Sequence, residues 1–395
     1  MQPPRASELP GSMHQPVIGM VAGEASGDLL GAALIGALRE RWPQAQFVGL
    51  AGPAMRAAGC EALGSSDELA VMGLVEPLRH LPRLLALRAR LQATLLARHI
   101  DLFVGVDAPA FNLGLARRLR KHGVCAAQYV SPQVWAWRRG RVRKIARSVD
   151  AVLCLLPFEP QAYAAEPVRA EFVGHPLADR IAMEPARAAA RGALGLAHDD
   201  TVVAILPGSR EGEVRRLGGD FARASLHLQS LHGRPLKFIA PMASDHTLRQ
   251  FAAQVSRTGA LIQLQPGRAD EVLAAADAAL VASGTAALQA LLHGVPMVVA
   301  YRLAPLTAFI ARDLGLVKLR HFSLPNLLAG EELVPEFFQE AVQPEQLALA
   351  LQAALTDGAR RERVQQRFRA IHHVLRAGGA QRAAAVLHDL LAARV

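Results

Sequence analysis

The amino-acid sequence predicts an α/β fold, in which parallel sheets are covered by helices on both faces. Short aliphatic runs alternate with segments of helical periodicity, and such runs are typical of strands buried on both faces. The alternation starts near residue 16 and starts again at residue 201, which indicates two domains. We expect a tail, two α/β domains and a set of closing helices, with bounds at residues 1–15, 16–174, 175–345 and 346–395.

Composition excludes several classes of protein. The chain has 395 residues, of which 51% are hydrophobic, so it can build large cores and is not a disordered protein. Aromatic residues make up only 5% and the Lys and Arg residues are dispersed, so we expect no nucleic-acid partner. The formal charge of +10 still predicts an anionic partner, such as an acidic membrane surface or a phosphorylated substrate.

Cysteine usage and the absence of targeting patterns predict a cytoplasmic location. Cys60, Cys125 and Cys154 are far apart and lack CxxC spacing, so neither a zinc site nor a disulfide framework is expected. Residues 1–15 have no apolar core, so we expect a disordered tail and not a signal peptide. No run approaches the ~20 apolar residues that cross a bilayer.

The first candidate loop is the small-residue turn at 23–28, which follows a strand at 16–22. Glycines in this turn would let the backbone approach a ligand at the carboxyl end of the strand. The alternative is a tight helix start that Ser26 or Asp28 only caps.

The second candidate is Asp107, which follows a strand at 102–106. A carboxylate there is partly desolvated, which would make it a usable general base. The alternative is a turn or cap residue before Pro109. His175, in the predicted linker at 174–177, is interpreted as a hinge residue.

Two basic segments have two interpretations each. Residues 69–100 and 138–147 combine apolar side chains with arginines, which suits a helix that lies on an anionic lipid surface. A helix packed on a sheet with its arginines in water is the alternative. The loop at 131–138 holds two of the three tryptophans, which would line a sugar or acyl pocket or close the end of the sheet.

The second domain contains two turns typical of phosphate sites. Each follows an aliphatic strand, at 201–206 and at 278–282, and each leads into a helix. Free N–H groups at a helix N-terminus and a planar guanidinium both bind phosphate, so two such turns suggest a diphosphate, as in a nucleotide sugar. Each turn alone is also compatible with an ordinary βα loop. The predicted binding residues are Gly208, Ser209, Arg210, Ser283, Gly284 and Thr285.

Seven motifs together resemble one family, the lipid-A-disaccharide synthases. The set occurs in the order of that family and covers nearly the whole chain from about residue 16. The motifs are GEASGD at 23–28, GVDAPAFN at 105–112, SPQVWAWR at 131–138, LPFE at 156–159, LPGSR at 206–210, SGTAAL at 283–288 and SLPNLLAG at 323–330.

This resemblance implies two facing Rossmann-like domains of the GT-B glycosyltransferase type, with C-terminal helices that cross back to the first domain. It implies an inverting transfer from UDP-2,3-diacylglucosamine to the 6-hydroxyl of 2,3-diacylglucosamine 1-phosphate (lipid X), which gives the β-1,6 disaccharide and UDP. Asp107 would be the base. No cofactor is expected, and because no Asp-x-Asp pair occurs, no metal either. Arg210 and the helix after Gly284 would stabilise the leaving UDP.

The resemblance also assigns the remaining site residues. Gln289 stands where the family usually has Glu, so it keeps one carbonyl acceptor for the ribose but loses the charge. Ala110 stands where the family often has Asp, which leaves Asp107 as the only carboxylate of its loop. Asn326 is assigned to the donor pocket. The acceptor and its phosphate are assigned to Glu24, Ser26, Gly27 and Asp28.

The expected partners follow from the two fatty chains of each substrate. Such substrates stay in the membrane, so the resemblance implies peripheral association with the anionic inner-membrane surface. The helices at 346–395 could finish the second domain, fold back across the first or form a homodimer by exchange. The alternatives are another GT-B enzyme on a UDP-amino sugar, either a transferase or an epimerase, and a non-catalytic membrane-surface binding protein. An epimerase would need acid/base groups on both faces of the sugar, and only Asp107 is a good candidate.

Overall fold

A computed structural model describes residues 15–70, 77–134, 140–303 and 320–394. Several expectations therefore lie outside the described residues: the tail up to residue 14, the tryptophans of the loop at 131–138 and an amphipathic segment at 304–316. The chain divides into two compact units. Of the described residues, unit 1 comprises 15–70, 77–134, 140–173 and 378–394, and unit 2 comprises 174–303 and 320–377.

Unit 1 is built on a parallel sheet because its strands are aliphatic runs buried on both faces. In the part of the chain that the structure describes, this sheet has the strand order β3-β2-β1-β4-β5-β6-β7. The strands are β1 (Val17–Ala22), β2 (Gln46–Ala51), β3 (Cys60–Ser65), β4 (Leu102–Val106), β5 (Cys125–Tyr129), β6 (Ala151–Cys154) and β7 (Arg169–Phe172).

Helices cover both faces of this sheet. They are α1 (Ala25–Arg41), α2 (Pro53–Ala57), α3 (Asp67–Ala70), α4 (Pro77–Ala97), α5 (Pro109–Arg120) and α6 (Arg141–Ala146), and a 3-10 turn spans Pro160–Tyr163. The C-terminal helix of the chain, Gly379–Ala392, also belongs to this unit and packs on α1. Its Ala383 and Leu387 lie in the same apolar core as Ile18 and Leu38. The expectation that the C-terminal helices cross back is therefore confirmed for the last of them.

The basic block at 69–100 folds mainly as α4. Leu84, Leu87, Leu91 and Leu95 are buried in the core on one face of the sheet, together with Phe103. The sheet-packing alternative accounts for these leucines. Residues 71–76 of the block lie outside the described residues.

Unit 2 repeats the same architecture with a smaller sheet. Over its described segments, the sheet is parallel and has the strand order β10-β9-β8-β11-β12-β13. The strands are β8 (Thr201–Leu206), β9 (Leu236–Met242), β10 (Ile262–Pro266), β11 (Ala278–Ala282), β12 (Met297–Tyr301) and β13 (Glu336–Phe338).

The helices of unit 2 follow the chain as βα units. Those described are α7 (Pro176–Arg180), α8 (Arg187–Ala193), α9 (Glu211–His232), α10 (Asp245–Thr258), α11 (Ala269–Ala275), α12 (Thr285–Leu292), α13 (Leu324–Ala329), α14 (Pro344–Thr356) and α15 (Gly358–Leu375), and a 3-10 turn spans Gln339–Ala341. The C-terminal helix Gly379–Ala392 of unit 1 is then α16. No helix within the described ranges combines the length and the hydrophobicity that a bilayer-crossing helix requires.

Candidate functional site

Each unit has a topological switch point, where the strand order reverses direction. In unit 1 it lies between β1 and β4, and in unit 2 between β8 and β11. Open α/β sheets bind ligands outside the carboxyl ends of the strands at such points. The turns that follow these four strands contain most of the site residues predicted from the sequence.

Asp107 occupies a strained backbone conformation at the end of β4. Its φ angle is +52°, and Ala108 follows with a φ of +41°. Two consecutive non-glycine residues in the left-handed region cost free energy, of the order of 1–3 kcal/mol each. Surrounding structure must therefore hold this turn in place.

Buried side chains supply that support. The Asp107 N–H donates to the carbonyl of Tyr129 at 2.9 Å. The Asp107 carbonyl accepts from Asn112 Nδ2 at 2.8 Å and from Gln128 Nε2 at 2.9 Å. Both amide side chains are almost fully buried. We call Asn112 and Gln128 the amide cradle, because together they fix the backbone from which the Asp107 carboxylate projects.

The glycine before the turn makes room for this cradle. A Cβ atom on Gly105 would lie 2.6 Å from the Cβ of Asn112 and 3.0 Å from Oε1 of Gln128. Gln128 was not predicted as a functional residue, although a lone Gln inside the apolar strand at 125–129 is a usable signal. A buried polar residue in such a strand needs partners, and here those partners are backbone carbonyls.

The turn at 23–28 lies beside Asp107. A Cβ on Gly23 would lie 2.5 Å from the Cβ of Ala108, and one on Gly27 would lie 3.9 Å from the Cβ of Asp107. Glu24 and Ser26 are exposed. Helix α1 begins earlier than the sequence predicted, at Ala25, so Ser26 and Gly27 belong to its first turn.

Asp28 has another role than the acceptor contact that was predicted for it. The side chain is buried, and its carboxylate accepts from the backbone N–H groups of Gly52, Ala54 and Met55 at 2.8–3.1 Å. These bonds hold the start of α2 against the first turn of α1. These bonds give Asp28 a structural role inside the unit, and its contact with the acceptor remains a prediction.

In unit 2, both glycines of the switch-point turns adopt conformations that other residues avoid. Gly208, after β8, has φ +132°, and Gly284, after β11, has φ +135°. A Cβ on Gly208 would lie 2.4 Å from the Cβ of Glu213, whereas a Cβ on Gly284 would meet open space. Since β8 and β11 pair directly, these two turns are neighbours at one edge of the sheet.

The first turn of α9 is not as free as the sequence predicted. Glu213 Oε2 accepts from the N–H groups of Ser209 at 3.1 Å and Arg210 at 3.3 Å. An anion at this turn must share or replace those bonds. The Arg210 side chain is exposed, and the described residues provide it with no ion-pair partner.

The start of α12 is open. Its N-cap is Gly284, and no side chain caps it. Thr285 and Gly284 are exposed, and Ser283 is half-buried. One helical turn further on, Gln289 donates from Nε2 to Oδ1 of Asp270 at 3.3 Å. Within the part of the chain that the structure describes, the N-terminus of α12 therefore offers uncapped N–H groups and a partial positive charge to an anion.

Asn326 is engaged by backbone groups of the loop after α13. It is fully buried, and its Oδ1 accepts from Leu333 N at 2.8 Å and Val334 N at 2.9 Å. Its Nδ2 donates to the Val334 carbonyl at 2.9 Å. The amide therefore holds the loop after α13 in place, and its assignment to the donor pocket remains a prediction.

His175 begins unit 2 as a capping residue. Its Nδ1 accepts from the N–H of Leu177 at 3.2 Å, which caps α7. Burial lowers the pKa of this imidazole from 6.5 to about 4, so the ring is neutral at physiological pH. Its position at the first residues of unit 2 agrees with the linker interpretation of this segment.

Solved structures with the same architecture identify the class. UDP-GlcNAc 2-epimerase from Neisseria meningitidis bound to UDP-GlcNAc matches with a TM-score of 0.64 at 11% identity, covering 95% of this chain and 99% of that chain. The calicheamicin glycosyltransferase CalG4 matches with a TM-score of 0.57 at 19% identity, covering 96% and 99%. The fold is that of the GT-B glycosyltransferases.

Sequence relatives identify the particular family. A family model described as lipid-A-disaccharide synthetase matches residues 18–389. The lipid-A-disaccharide synthase of Azotobacter vinelandii is 50% identical over 375 residues, which cover 94% of this chain and 97% of that protein. That of Xanthomonas campestris pv. campestris (strain 8004) is 48% identical over 394 residues, covering 98% and 89%. The chain belongs to the lipid-A-disaccharide synthase family and is a glycosyltransferase that forms the lipid A disaccharide.

Proposed function

We propose that the enzyme transfers 2,3-diacylglucosamine from UDP to the 6-hydroxyl of lipid X with inversion, using Asp107 as base and the two turns of unit 2 as the UDP site. The supporting observation is the amide cradle in unit 1. It holds Asp107 in a left-handed conformation that costs free energy, and such strain concentrates at functional sites.

The proposed step balances as a single displacement. The acceptor 6-hydroxyl oxygen forms a bond to the anomeric carbon while the bond from that carbon to the UDP oxygen breaks. The hydroxyl proton passes to the Asp107 carboxylate, and the electron pair of the broken bond leaves with UDP. Attack on the face opposite to UDP inverts the anomeric centre and gives the β-linkage.

The donor part of the proposal depends on unit 2. The leaving diphosphate needs cationic stabilisation, which Arg210 supplies as a full charge and the open start of α12 as a partial one. Gly208 and Gly284 let the backbone of both turns come close to phosphate oxygens. Because these groups perform the role of a metal ion, we expect full activity in excess EDTA.

The acceptor part depends on the exposed residues of the turn beside Asp107. Glu24 and Ser26 are exposed at the start of α1, where N–H groups and hydroxyls bind a sugar phosphate. Gly27 leaves the space next to Asp107 free of a side chain. Asp28 supports this turn from inside the unit.

Replacement of the base tests the proposal. We expect Asp107→Asn to lower kcat by roughly 10²- to 10⁴-fold, the range typical of general-base catalysis, and to leave the Kd for UDP unchanged. Asp199→Asn is the matched control, because this exposed carboxylate precedes β8 and lies outside both turns. Wild-type turnover by Asp107→Asn would refute the base assignment.

The membrane part of the proposal places the enzyme on the anionic inner leaflet, where its acylated substrates reside. Leu29 and Leu85 are apolar side chains with exposed fractions of 59% and 43%, and exposed Arg83 lies on α4 near Leu85. We expect Leu85→Glu to weaken partition onto phosphatidylglycerol vesicles by roughly 10-fold. Leu261→Glu, at an 89% exposed site in unit 2, is the control. Equal partition of wild type and Leu85→Glu would exclude α4 as the docking helix.

The homodimer belongs to the same proposal. Leu349 on α14 and Val374 on α15 are about half exposed, which is the kind of apolar surface that a second copy covers. Sedimentation of wild type and Val374→Asp tests it. A monomeric wild type would remove the homodimer from the proposal.

A further inference from the structure

Asp270 connects three elements of unit 2 around the residue assigned to the ribose. It lies in the first turn of α11, and its Oδ1 receives Gln289 Nε2 at 3.3 Å and His293 Nε2 at 3.2 Å. Its Oδ2 receives a guanidinium N–H of Arg180 at 3.0 Å. One carboxylate therefore joins α7, α11 and α12.

The chemistry of these partners fixes the orientation of the Gln289 amide. An ionised carboxylate only accepts hydrogen bonds, whereas an amide has one donor end and one acceptor end. The NH₂ end of Gln289 must therefore face Asp270. The carbonyl end is then directed away from Asp270, and the described residues provide it with no hydrogen-bond donor, so it can accept from a ligand hydroxyl.

The partners of Asp270 also keep it ionised. The hydrogen bond from His293 is the main cause that lowers the pKa of this carboxyl, and Arg180 and Gln289 add to it against the opposing effect of burial. The His293 side chain is 7% exposed, and its Nδ1 has no partner among the described residues. Nε2 is therefore the ring nitrogen that donates to Asp270.

We propose that Asp270 is a positioning residue of the donor site, which orients the Gln289 carbonyl toward the ribose hydroxyls of UDP. This inference depends on the proposed UDP site. It explains why an amide is tolerated at residue 289. A carboxylate there would lie about as close to Asp270 as the present 3.3 Å contact, and two carboxylates at that distance cannot both ionise without a large penalty.

A reciprocal exchange tests the pair. The variants are Asp270→Asn, Gln289→Glu and the double variant, and Glu271→Gln is the matched control because this neighbouring carboxylate pairs with Arg268 instead. The measurements are Kd for UDP and for 2′,3′-dideoxy-UDP, which lacks both ribose hydroxyls, together with KM for the donor and kcat.

We expect each single variant to weaken UDP binding by roughly 10-fold, because either the amide loses its fixed orientation or two carboxylates repel. In the double variant the introduced amide donates to the introduced carboxylate, so binding returns to within about 3-fold of wild type. The single variants should raise KM for the donor and leave kcat unchanged. All variants should bind 2′,3′-dideoxy-UDP with the same Kd. Glu271→Gln should match wild type.

Contrary outcomes separate the two proposals. Additive losses in the double variant, or equal losses with UDP and dideoxy-UDP, would overturn the positioning role of Asp270 and leave the UDP site standing. Failure of the wild-type enzyme to bind UDP would overturn the donor site and this inference together.

Discussion

The two switch points share one topology, but their turns differ in residue type and in rigidity. In unit 1 the turn after β4 is made of non-glycine residues held in strained conformations by buried amides. In unit 2 the turns after β8 and β11 contain glycines, an exposed arginine and an uncapped helix start. A rigid turn suits a base that must meet one proton, whereas an open turn suits a large anion. In the proposed mechanism, the same fold therefore supplies the base in one unit and the UDP site in the other.

Acid should lower the stability of unit 2 in particular, because it protonates the His175 cap. The His175 cap needs a neutral ring, and its folded pKa of about 4 lies below the unfolded value of 6.5. The stabilisation is therefore present above pH 6.5 and is lost as the pH falls toward 4, by up to about 3 kcal/mol. Urea unfolding monitored between pH 7 and 4 checks this. The variant His175→Asn caps without titrating, so its pH slope should be flatter; equal slopes would contradict the prediction.

Loss of the Arg210 guanidinium should weaken the binding of UDP to unit 2. We expect Arg210→Gln to raise the Kd for UDP by roughly 10- to 100-fold, since a charge-assisted hydrogen bond to the diphosphate is removed. Calorimetric titration with UDP measures it. Arg215→Gln, on the exposed side of the same helix, should bind like wild type. If both variants weaken binding equally, only the net charge of α9 matters and the comparison fails.

Loss of a hydrogen bond of the amide cradle should lower kcat and leave UDP binding unchanged. Gln128→Met keeps the shape of the side chain but removes the hydrogen bond to the Asp107 carbonyl. We expect kcat to fall roughly 10-fold through misplacement of the base, with the Kd for UDP unchanged. Gln254→Met, which alters a buried glutamine of unit 2, is the control. Unchanged kcat would show that Asn112 suffices to hold the turn.

We expect the smallest effect on UDP binding from a substitution of Gly284, where an added Cβ would contact no other atom. Gly284→Ala adds no clash and only places a Cβ at φ +135°. We expect the Kd for UDP to rise by roughly 5-fold, because strain of about 1 kcal/mol distorts the start of α12. Gly123→Ala, at φ +86° in a turn of unit 1, carries comparable strain and should change only the melting temperature. Equal UDP binding by both variants would contradict the role of Gly284.

The central strands were predictable because their aliphatic runs are buried on both faces. Strands β8 and β11 appear at the predicted residues, and β4 does too. The edge strands β3 and β13 were missed, since an edge needs no continuous apolar run.

The candidate site was predictable at the level of turns but not of side chains. Asp107, Ser283 and Gly284 lie at switch points, as their position after strands indicated. The hydrogen bonds of Asp28 and Asn326 to buried backbone groups could not be predicted from the sequence, because a polar residue in a motif can bind either a ligand or backbone N–H groups. Only the three-dimensional partners separate these cases.

Helix α16 has a consequence for how the protein is made. Its Ala383, Leu387 and Leu391 complete the apolar core that contains β1, so β1 acquires its full packing only after α16 has been synthesised. Synthesis of all of unit 2 intervenes. A premature stop after residue 377 would thus leave unit 2 able to fold while unit 1 stays incomplete, an order of assembly opposite to the order of translation.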